Sequence, residues 1–404
     1  MRKTMKRGLA SLLGMTLLGG LAVATAAPAQ AAVSDCPKGY FCAWKTEDAT
    51  GTMFKTNKSM PTLGSWNNTF RAQVNHSSQI VCTYDLADYK LGTYWSIDPT
   101  TGGAYESDPY GSVSSLKFVR TERECWLDAY PRWYAETSPK AAGFGDLNGD
   151  RKADVLVRDL VGRLWYLPGD STGRLVGSGG WNGMNALVRH GDFSRDGKED
   201  VIARERATGK LWLYPGTGTG GLAPRKLIGS GGWNGMSRIA AVGDLTRDGR
   251  ADLLAVEKST GKLWLYPGTG NGLAPRKLIG TGGWNGMNAL TGPGDMNSDG
   301  RVDLVAREAS TGKLWLYPGT STGRLGARKL IGTGGWNAME TFLSIGDFSG
   351  DGRVDLATIT NARYAIDGYQ GHLGWLLTYN GRGTGSLAAG QRFDGDWWGL
   401  NGAF

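Results

Sequence analysis

The sequence predicts an all-β protein, a small β-sandwich followed by a ring of five short-stranded sheets, and three observations predict it. The first is composition: Gly is the commonest residue, at 65 of 404, and Trp occurs 16 times, while stretches with helical apolar spacing are scarce. Such a profile suits short strands joined by tight turns, with aromatics supplying the core. The second is an internal repeat. An acidic loop begins at Asp146, Asp192, Asp244, Asp295 and Asp347, a period of about 50 residues, in the range of propeller blades and solenoid units. The third is that all four cysteines, Cys36, Cys42, Cys82 and Cys125, precede the first repeat, so a disulfide-stapled module stands apart from it.

In chain order, residues 1–31 read as an export signal. Arg2, Lys3, Lys6 and Arg7 precede the apolar run Leu9–Ala26, and Ala29-Gln30-Ala31 forms a small-residue cleavage site. No later stretch is long and apolar enough to span a bilayer, so the expectation is a secreted chain with no membrane insertion. Without those four cations the formal charge falls from +8 to about +4, which argues against nucleic acid as a partner.

Residues 32–126 form the first expected domain. Short alternating segments, Gly51–Thr56, Gln79–Tyr84 and Ser114–Val119, are broken by Gly, Pro and Asn turns. Three disulfide pairings are formally possible. Cys36 with Cys42 and Cys82 with Cys125 are favoured, because the first closes a short loop and the second ties late strands to early ones. Zinc is the rival use of the cysteines, but no histidine stands at ligand spacing. The segment also reads as two similar halves, Cys42-Ala-Trp44 with Gly51, then Cys82-Thr-Tyr84 with Tyr89 and Gly92.

On Cys36-Pro-Lys-Gly-Tyr-Phe-Cys42 and the Tyr84/Tyr89/Gly92 half-motif, this domain resembles the actinobacterial crystallin-like peptidase inhibitors. That resemblance implies a βγ-crystallin-like double Greek key sandwich, and a secreted peptidase as one class of partner. The sequence departs from the pattern at Ala49, which replaces an aromatic corner, and in having no close cysteine pair in its second half. Crystallin modules that bind calcium pair Asn/Asp with a following Ser/Thr; here Asn67-Asn68 is followed by Arg71-Ala72, so no calcium is expected in this domain. Residues 127–140 lapse into Pro-containing, non-periodic sequence, the expected linker.

Residues 141–404 hold the repeats. In the second unit, strands are expected at Ala186–Arg189, Val201–Arg204, Leu211–Tyr214 and Arg225–Ile228, the four-strand count of a propeller blade. Five units argue for a five-bladed β-propeller.

The acidic loops carry the sharpest chemistry. Positions one, three, five and nine hold Asp146/Asn148/Asp150/Asp154, Asp192/Ser194/Asp196/Asp200, Asp244/Thr246/Asp248/Asp252, Asp295/Asn297/Asp299/Asp303 and Asp347/Ser349/Asp351/Asp355. Alternate residues of a tightly turned loop point oxygens inward, and a seventh-position carbonyl completes the oxygen-only set that Ca²⁺ requires. Gly197, Gly249, Gly300 and Gly352 occupy position six, where the turn needs positive φ; the first loop carries Arg151 instead. With no Glu at position twelve and strands on both sides, these are not EF-hands. A solvated turn would explain one copy but not five at identical spacing, so Ca²⁺ is expected as a structural ion pinning the first two strands of each blade.

On Gly145-Asp146, Gly191-Asp192, Gly243-Asp244 and Gly346-Asp347, the repeats resemble the FG-GAP/VCBS family of calcium-loop propellers. The Ile-Gly-x-Gly-Gly-Trp-Asn element resembles the repeat signature of the tachylectins, five-bladed lectins for N-acetylated sugars. The pairs Trp181/Asn182, Trp233/Asn234, Trp284/Asn285 and Trp336/Asn337 are therefore candidate ligand-binding residues. The ring would stack on a sugar face and the amide would meet hydroxyl or acetamido groups. A second reading is equally open: each Trp is a wedge between blades and each Asn caps a turn. Strand order puts the acidic loops and the Pro-Gly-Thr loops on one face of the ring, and the Trp-Asn links on the other. Trp165, Trp212, Trp264, Trp315 and Trp375 lie mid-strand and are expected in the core. In the fifth blade an insertion, Tyr364–His372, breaks the symmetry.

Catalysis is not expected. His76, His190 and His372 neither repeat nor sit in a metalloprotease motif, and Gly177-Ser178-Gly179 has no fixed base. The functional expectation is a secreted, calcium-stabilised, lectin-like protein that binds cell-surface or cell-wall glycans, as a monomer or as a subunit of a secreted complex. A peptidase inhibitor localised by its propeller, and a protein–protein adhesion module, are the alternatives.

Overall fold

The structure, a computed structural model, describes residues 32–89, 94–100, 106–107, 111–126, 131, 133–135, 145–189, 191–366, 369–370, 373–395, 397 and 399–404. The export signal, Gly92, His190, Trp398 and part of the fifth-blade insertion lie outside them. The chain forms two compact units, residues 1–129 and 130–404. Among the described residues there is no α-helix, and no helix is long and apolar enough to cross a membrane.

The first unit is two sheets packed face to face. Phe41–Trp44 lies between Met53–Thr56 and Ala72–Asn75, and Glu106–Ser107 completes that sheet. Ile80–Tyr84 lies between Tyr94–Ile97 and Ser115–Val119 in the other. The halves exchange a strand: Glu106–Ser107 from the second half pairs with Ala72–Gln73 of the first, while Met60 of the first half bridges Leu116 of the second. This is the double Greek key of the crystallin-like fold. Phe41, Phe54, Phe70, Val81, Ile97 and Leu116 fill the space between the sheets. Disulfides join Cys36 to Cys42 and Cys82 to Cys125, with Cα atoms 5.9 and 5.6 Å apart, inside the usual span. Ala49 is buried with φ 54°, the same left-handed corner that Tyr89 makes with φ 59° in the second half.

The second unit is five antiparallel four-stranded sheets. In the second blade the strands are Met184–Arg189, Val201–Glu205, Leu211–Tyr214 and Lys226–Gly229, hydrogen-bonded in that order from the inside outward. The first blade is built from both ends of the unit: Leu400–Ala403 pairs with Val155–Asp159 and supplies its inner strand. Each pair of neighbouring blades then shares one apolar core. Leu156 and Tyr166 meet Val201 and Ala203; Ile202 and Leu213 meet Leu253 and Ala255; Leu254 and Leu265 meet Leu304 and Ala306; Val305 and Leu316 meet Leu356; Leu343 and Ile359 meet Val155 and Leu400. The five seams run from the first blade round to the first again. Strand alternation makes this possible, since successive side chains of one strand serve the seams on its two sides.

Two readings from sequence need correction here. Trp133 and Ala135, inside the stretch read as linker, are fully buried in the seam between the fifth and first blades. The Trp133 ring stacks on Phe348 at 5.2 Å, and its indole N–H donates to the Ala153 carbonyl at 2.6 Å. Trp165, Trp212, Trp264, Trp315 and Trp375 are half-buried at the rim, not in the core. An arginine covers each ring: Arg163, Arg225, Arg276, Arg328 and Arg392 lie 5.0, 4.0, 3.9, 3.9 and 3.9 Å from the respective centroids.

Candidate functional site

Each acidic loop is wound around its own first and ninth residues. In the first, Asp146 accepts the N–H groups of Gly149 at 2.7 Å and Arg151 at 3.0 Å. In the second, Asp192 accepts those of Asp196 at 3.1 Å and Gly197 at 2.8 Å. Asp244 and Asp295 repeat this pattern, and Asp347 accepts from Gly352 at 2.8 Å. Position six is left-handed in every loop, at Gly197, Gly249, Gly300 and Gly352 and, with φ 66°, at Arg151. Position four is left-handed too, and there Arg195, Arg247 and Ser298 adopt it without being glycine.

The ninth residue is a buried staple. Asp200, Asp252, Asp303 and Asp355 each accept one N–H from their own loop, at 2.7–3.0 Å, and one from Gly216, Gly268, Gly319 or Gly381 of the Pro-Gly or Asn-Gly loop on the same face, at 2.8–3.0 Å. Glycine is required at the partner position: a Cβ on Gly216 would sit 2.0 Å from the Glu199 carbonyl oxygen, and the other three are as close to theirs. Burial pushes the Asp200 and Asp303 carboxyls up to about 6 and Asp154 up to about 8, and raises Asp252 and Asp355 as well.

Do these residues fit a cation? Positions one, three and nine converge in the second loop, where the Ser194 hydroxyl lies 3.5 Å from Asp192 and 3.4 Å from Asp200. The Ser194 backbone N–H also donates to Asp200, at 2.7 Å. In the third and fifth loops the backbone N–H of Thr246 and Ser349 makes the same bond, donating to Asp252 at 2.8 Å and to Asp355 at 2.7 Å. Thr246 Oγ1 and Ser349 Oγ are left buried with no hydrogen-bond partner among the described residues. In the first and fourth loops Asn148 and Asn297 donate to Asp150 at 2.9 Å and to Asp299 at 3.0 Å.

Asp154 Oδ1 and Asp347 Oδ1 are likewise buried carboxylate oxygens with no hydrogen-bond partner. An unmet anionic oxygen in a buried loop, beside an unmet hydroxyl in the loop of Asp347 and Ser349, is what a divalent cation would satisfy. The donor set therefore fits hard-cation chemistry. Position five stands apart: Asp248, Asp299 and Asp351 pair with Arg250, Arg301 and Arg353 at 3.0, 2.8 and 3.3 Å, near the solvent. Among the described residues, no three Asp, Glu, His or Cys side chains are gathered as a finished metal cluster.

The Trp-Asn links take the wedge reading. Trp181, Trp233 and Trp284 are only 8, 7 and 8% exposed, and Trp336 is half-buried. Their rings pack on Tyr214, Tyr266, Tyr317 and Tyr379, with centroids 4.6–4.9 Å apart. They also lie over the preceding Gly177, Gly229, Gly280 and Gly332, where a Cβ would fall 1.9–2.2 Å from the indole nitrogen. Asn182, Asn234, Asn285 and Asn337 each donate at 2.9 Å to a carbonyl in the turn of the preceding blade, at Leu160, Arg206, Lys258 and Ala309. The sugar-stacking role expected for these rings is not the arrangement the structure adopts. Their faces are covered by a neighbouring tyrosine and by glycine backbone.

What the seams leave open on that face is a polar hollow. Between the fourth and fifth blades a cavity of about 530 Å³ is lined by Asn288, Arg307, Asn337, Glu340, Asn361 and Arg363. Arg307 donates from Nε to Asn288 at 2.6 Å and from Nη1 to the Trp336 carbonyl at 2.7 Å and that of Met339. Arg204 does the same two repeats earlier, reaching Asn185 at 2.7 Å and the carbonyls of Trp233 at 2.9 Å and Met236 at 2.5 Å. Sequence reasoning passed over these arginines. Their signal was a lone cation in an otherwise apolar strand, as in Val201-Ile-Ala-Arg-Glu205.

Comparison with known proteins bears on both units. The FG-GAP-like repeat model matches at residues 192–255, 244–306 and 295–358, and the peptidase inhibitor family I36 model matches at residues 29–97. The chain carries FG-GAP-like repeats behind an I36-type segment. No curated protein matches it. Among solved structures, it is similar to an Agrocybe aegerita lectin described for specific recognition of non-reducing terminal N-acetylglucosamine. The identity is 18% and the TM-score 0.37, covering 62% of this chain and 65% of the lectin. It is also similar to the Dos1 propeller, at 8% identity and TM-score 0.29, covering 65% of this chain and 62% of that one. A luciferin-regenerating enzyme gives 11% identity and TM-score 0.32, covering 78% and 92%. The chain thus spans less than two thirds of the lectin and of the Dos1 propeller, and the fold assignment rests on the sheet topology of the FG-GAP-like ring itself.

Proposed function

We propose that this is a secreted, non-enzymatic recognition protein whose ring is stabilised by Ca²⁺ in its acidic loops and binds glycans of a cell surface or cell wall at the opposite face. The observation that carries the reading is the polar hollow of about 530 Å³ in a seam of the FG-GAP-like ring, rich in amide side chains. Amides supply both donor and acceptor, which hydroxyl and acetamido groups need. Repeated seams favour avidity on a polymeric surface, where a second contact is made at high effective concentration. The Ca²⁺ would be held by positions one, three and nine of each loop, with Asp248, Asp299 and Asp351 at position five released from their arginines. Two disulfides in the first unit agree with an oxidising compartment.

A glycan array probed with the full chain, calcium-loaded and after chelation, tests the reading. Binding to a defined set of glycans that weakens on chelation is expected; an array blank in calcium would remove it. A second reading is favoured by the I36 match at residues 29–97, namely that the first unit inhibits a secreted peptidase. Full chain in excess over a panel of metalloproteinases should slow at least one of them if that is so. Unchanged turnover across the panel would discard it.

A further inference from the structure

We infer that Arg307 and Arg204 are oxyanion-binding residues, so that the glycan recognised by the ring bears a carboxylate and is taken at two of its five seams. The inference rests on the glycan reading above and narrows it to acidic sugars. Arg307 and Arg204 are 7 and 8% exposed, yet among the described residues neither has a carboxylate as a hydrogen-bond partner. Both are held by one asparagine side chain and two backbone carbonyls, and Arg307 also lies 5.4 Å from the Phe342 ring centroid; these contacts leave each charge without a carboxylate as counter-ion. A buried cation of that kind is costly. The same ring shows the ordinary solution at Arg189, equally buried, which meets Glu199 through two bonds at 2.9 and 3.1 Å.

The surroundings of Arg307 sharpen the point. Its Nη2 has no partner among the described residues, and the residue lines the hollow. Arg363 is a second cation in the lining, and the Arg238 guanidinium is close enough to add like charge. Glu340, exposed in the lining, is its one carboxylate among the described residues. In the seam of Arg204 the corresponding residue is Ser237. A planar guanidinium fork suits a carboxylate, and Asn288, Asn337 and Asn361 suit the neutral groups of the same sugar.

The other seams are not equivalent. Val256 and Ile359 stand where Arg204 and Arg307 stand, both buried and apolar. Arg158, at the first seam, commits all three nitrogens to the carbonyls of Asn401, Trp181 and Met184. Two sites per chain follow, between the second and third blades and between the fourth and fifth.

Isothermal titration of the calcium-loaded full chain tests this, with a hyaluronan tetrasaccharide as acidic probe, chitotetraose as its neutral match and inorganic phosphate alone. The acidic probe is expected to bind at two sites, at least tenfold more tightly than chitotetraose. R307M and R204M should each remove one site. Because both arginines also tie blades together, melting is recorded for each variant, and R363E, which breaks no side-chain contact among the described residues, should weaken one site without a fall in melting temperature. Chitotetraose binding as tightly as the acidic probe would overturn the inference and leave the glycan reading standing. Loss of all binding with a blank array would remove both. Two-site binding that survives in R204M/R307M, or phosphate alone binding as well as the acidic sugar, would also overturn it.

Discussion

Replacing Trp284 by Ala should destabilise the ring by about 4 kcal/mol, and the structure sets that figure. The side chain is 8% exposed, packs on Tyr317 at 4.8 Å and lies in the seam core with Leu263, Met287 and Leu304. An indole buries roughly 200 Å², which at about 25 cal/mol per Å² gives ~5 kcal/mol. Measured Trp→Ala and Phe→Ala losses in cores run from about 3 to 5 kcal/mol. For a unit of this size, each kcal/mol lowers the melting temperature by about 2–4 °C, so a fall of roughly 8–16 °C is expected. The opposite side of the contact supplies an internal control. A Cβ on Gly280 would sit 2.2 Å from the Trp284 indole nitrogen, so Gly280→Ala should cost about 1–3 kcal/mol through overpacking. In the Trp284→Ala background the part of that cost due to the indole should vanish, as the coupling of touching residues demands, leaving the contact with Leu263 Cβ at 2.9 Å. Urea unfolding of the four proteins at fixed calcium, followed by circular dichroism, reads both numbers. A loss below about 1 kcal/mol for Trp284→Ala, with glycan binding abolished, would refute the wedge argument and return the ring to a ligand surface.

Three further outcomes are expected. Chelation should lower the melting temperature of the repeat unit and calcium should restore it in a concentration-dependent way, as for any ligand that binds only the folded state; a melting curve indifferent to chelator would dismiss the acidic loops as metal sites. In calcium-free protein, Asp200 and Asp303 titrate near 6 and Asp154 near 8, against about 3.9 in the unfolded chain, so the folded state holds more protons between these values and stability should fall as pH rises from about 4 to 8. Melting temperatures across that range read it; a rise with pH in the absence of calcium contradicts the buried staple, and calcium should flatten the slope. In the first unit, replacing Cys82 and Cys125 by Ser should cost about 4 kcal/mol and replacing Cys36 and Cys42 about 2 kcal/mol, from closed loops of 43 and 6 residues; equal losses in its urea transition would speak against the loop-entropy account.

Local patterns made the strands legible and radial position did not. Leu211–Tyr214 forms as its alternation and the following Pro215 dictate, and Val201–Arg204 grows by one residue to Glu205. Alternation says which face of a sheet a side chain occupies, but not how far from the ring axis it lies. That is why Trp212 is expected in the core and Trp233 stays open between ligand and wedge. Trp212 sits on the third strand out, where neighbouring blades diverge, and Arg225 at 4.0 Å covers what no blade reaches. Trp233 follows two glycines and looked free to meet a ligand, yet it is drawn under Tyr266. Trp133 left no periodic trace, because a single buried anchor needs no repeat to find its seam. In the acidic loops the spacing was plain, but spacing cannot say what a position-three hydroxyl will meet: that of Ser194 reaches Asp192 and Asp200, while those of Thr246 and Ser349 are buried without a hydrogen-bond partner among the described residues. The ninth position's second duty, fixing the Gly216 loop, could be seen only once that loop was folded against it.

That second duty joins the two faces of the ring. Asp303 opens the strand Asp303–Glu308 and Arg307 lies four residues on, about 13 Å away at the usual rise of a strand. At one end the carboxylate is tied to Met296 and Gly319; at the other the guanidinium is tied to the Trp336 turn of the next blade. Between them Leu304, Val305 and Ala306 are locked into two seams. A short strand held so completely along its length cannot tilt at one end without moving the other. The acidic loop therefore fixes the height at which the guanidinium stands in its hollow.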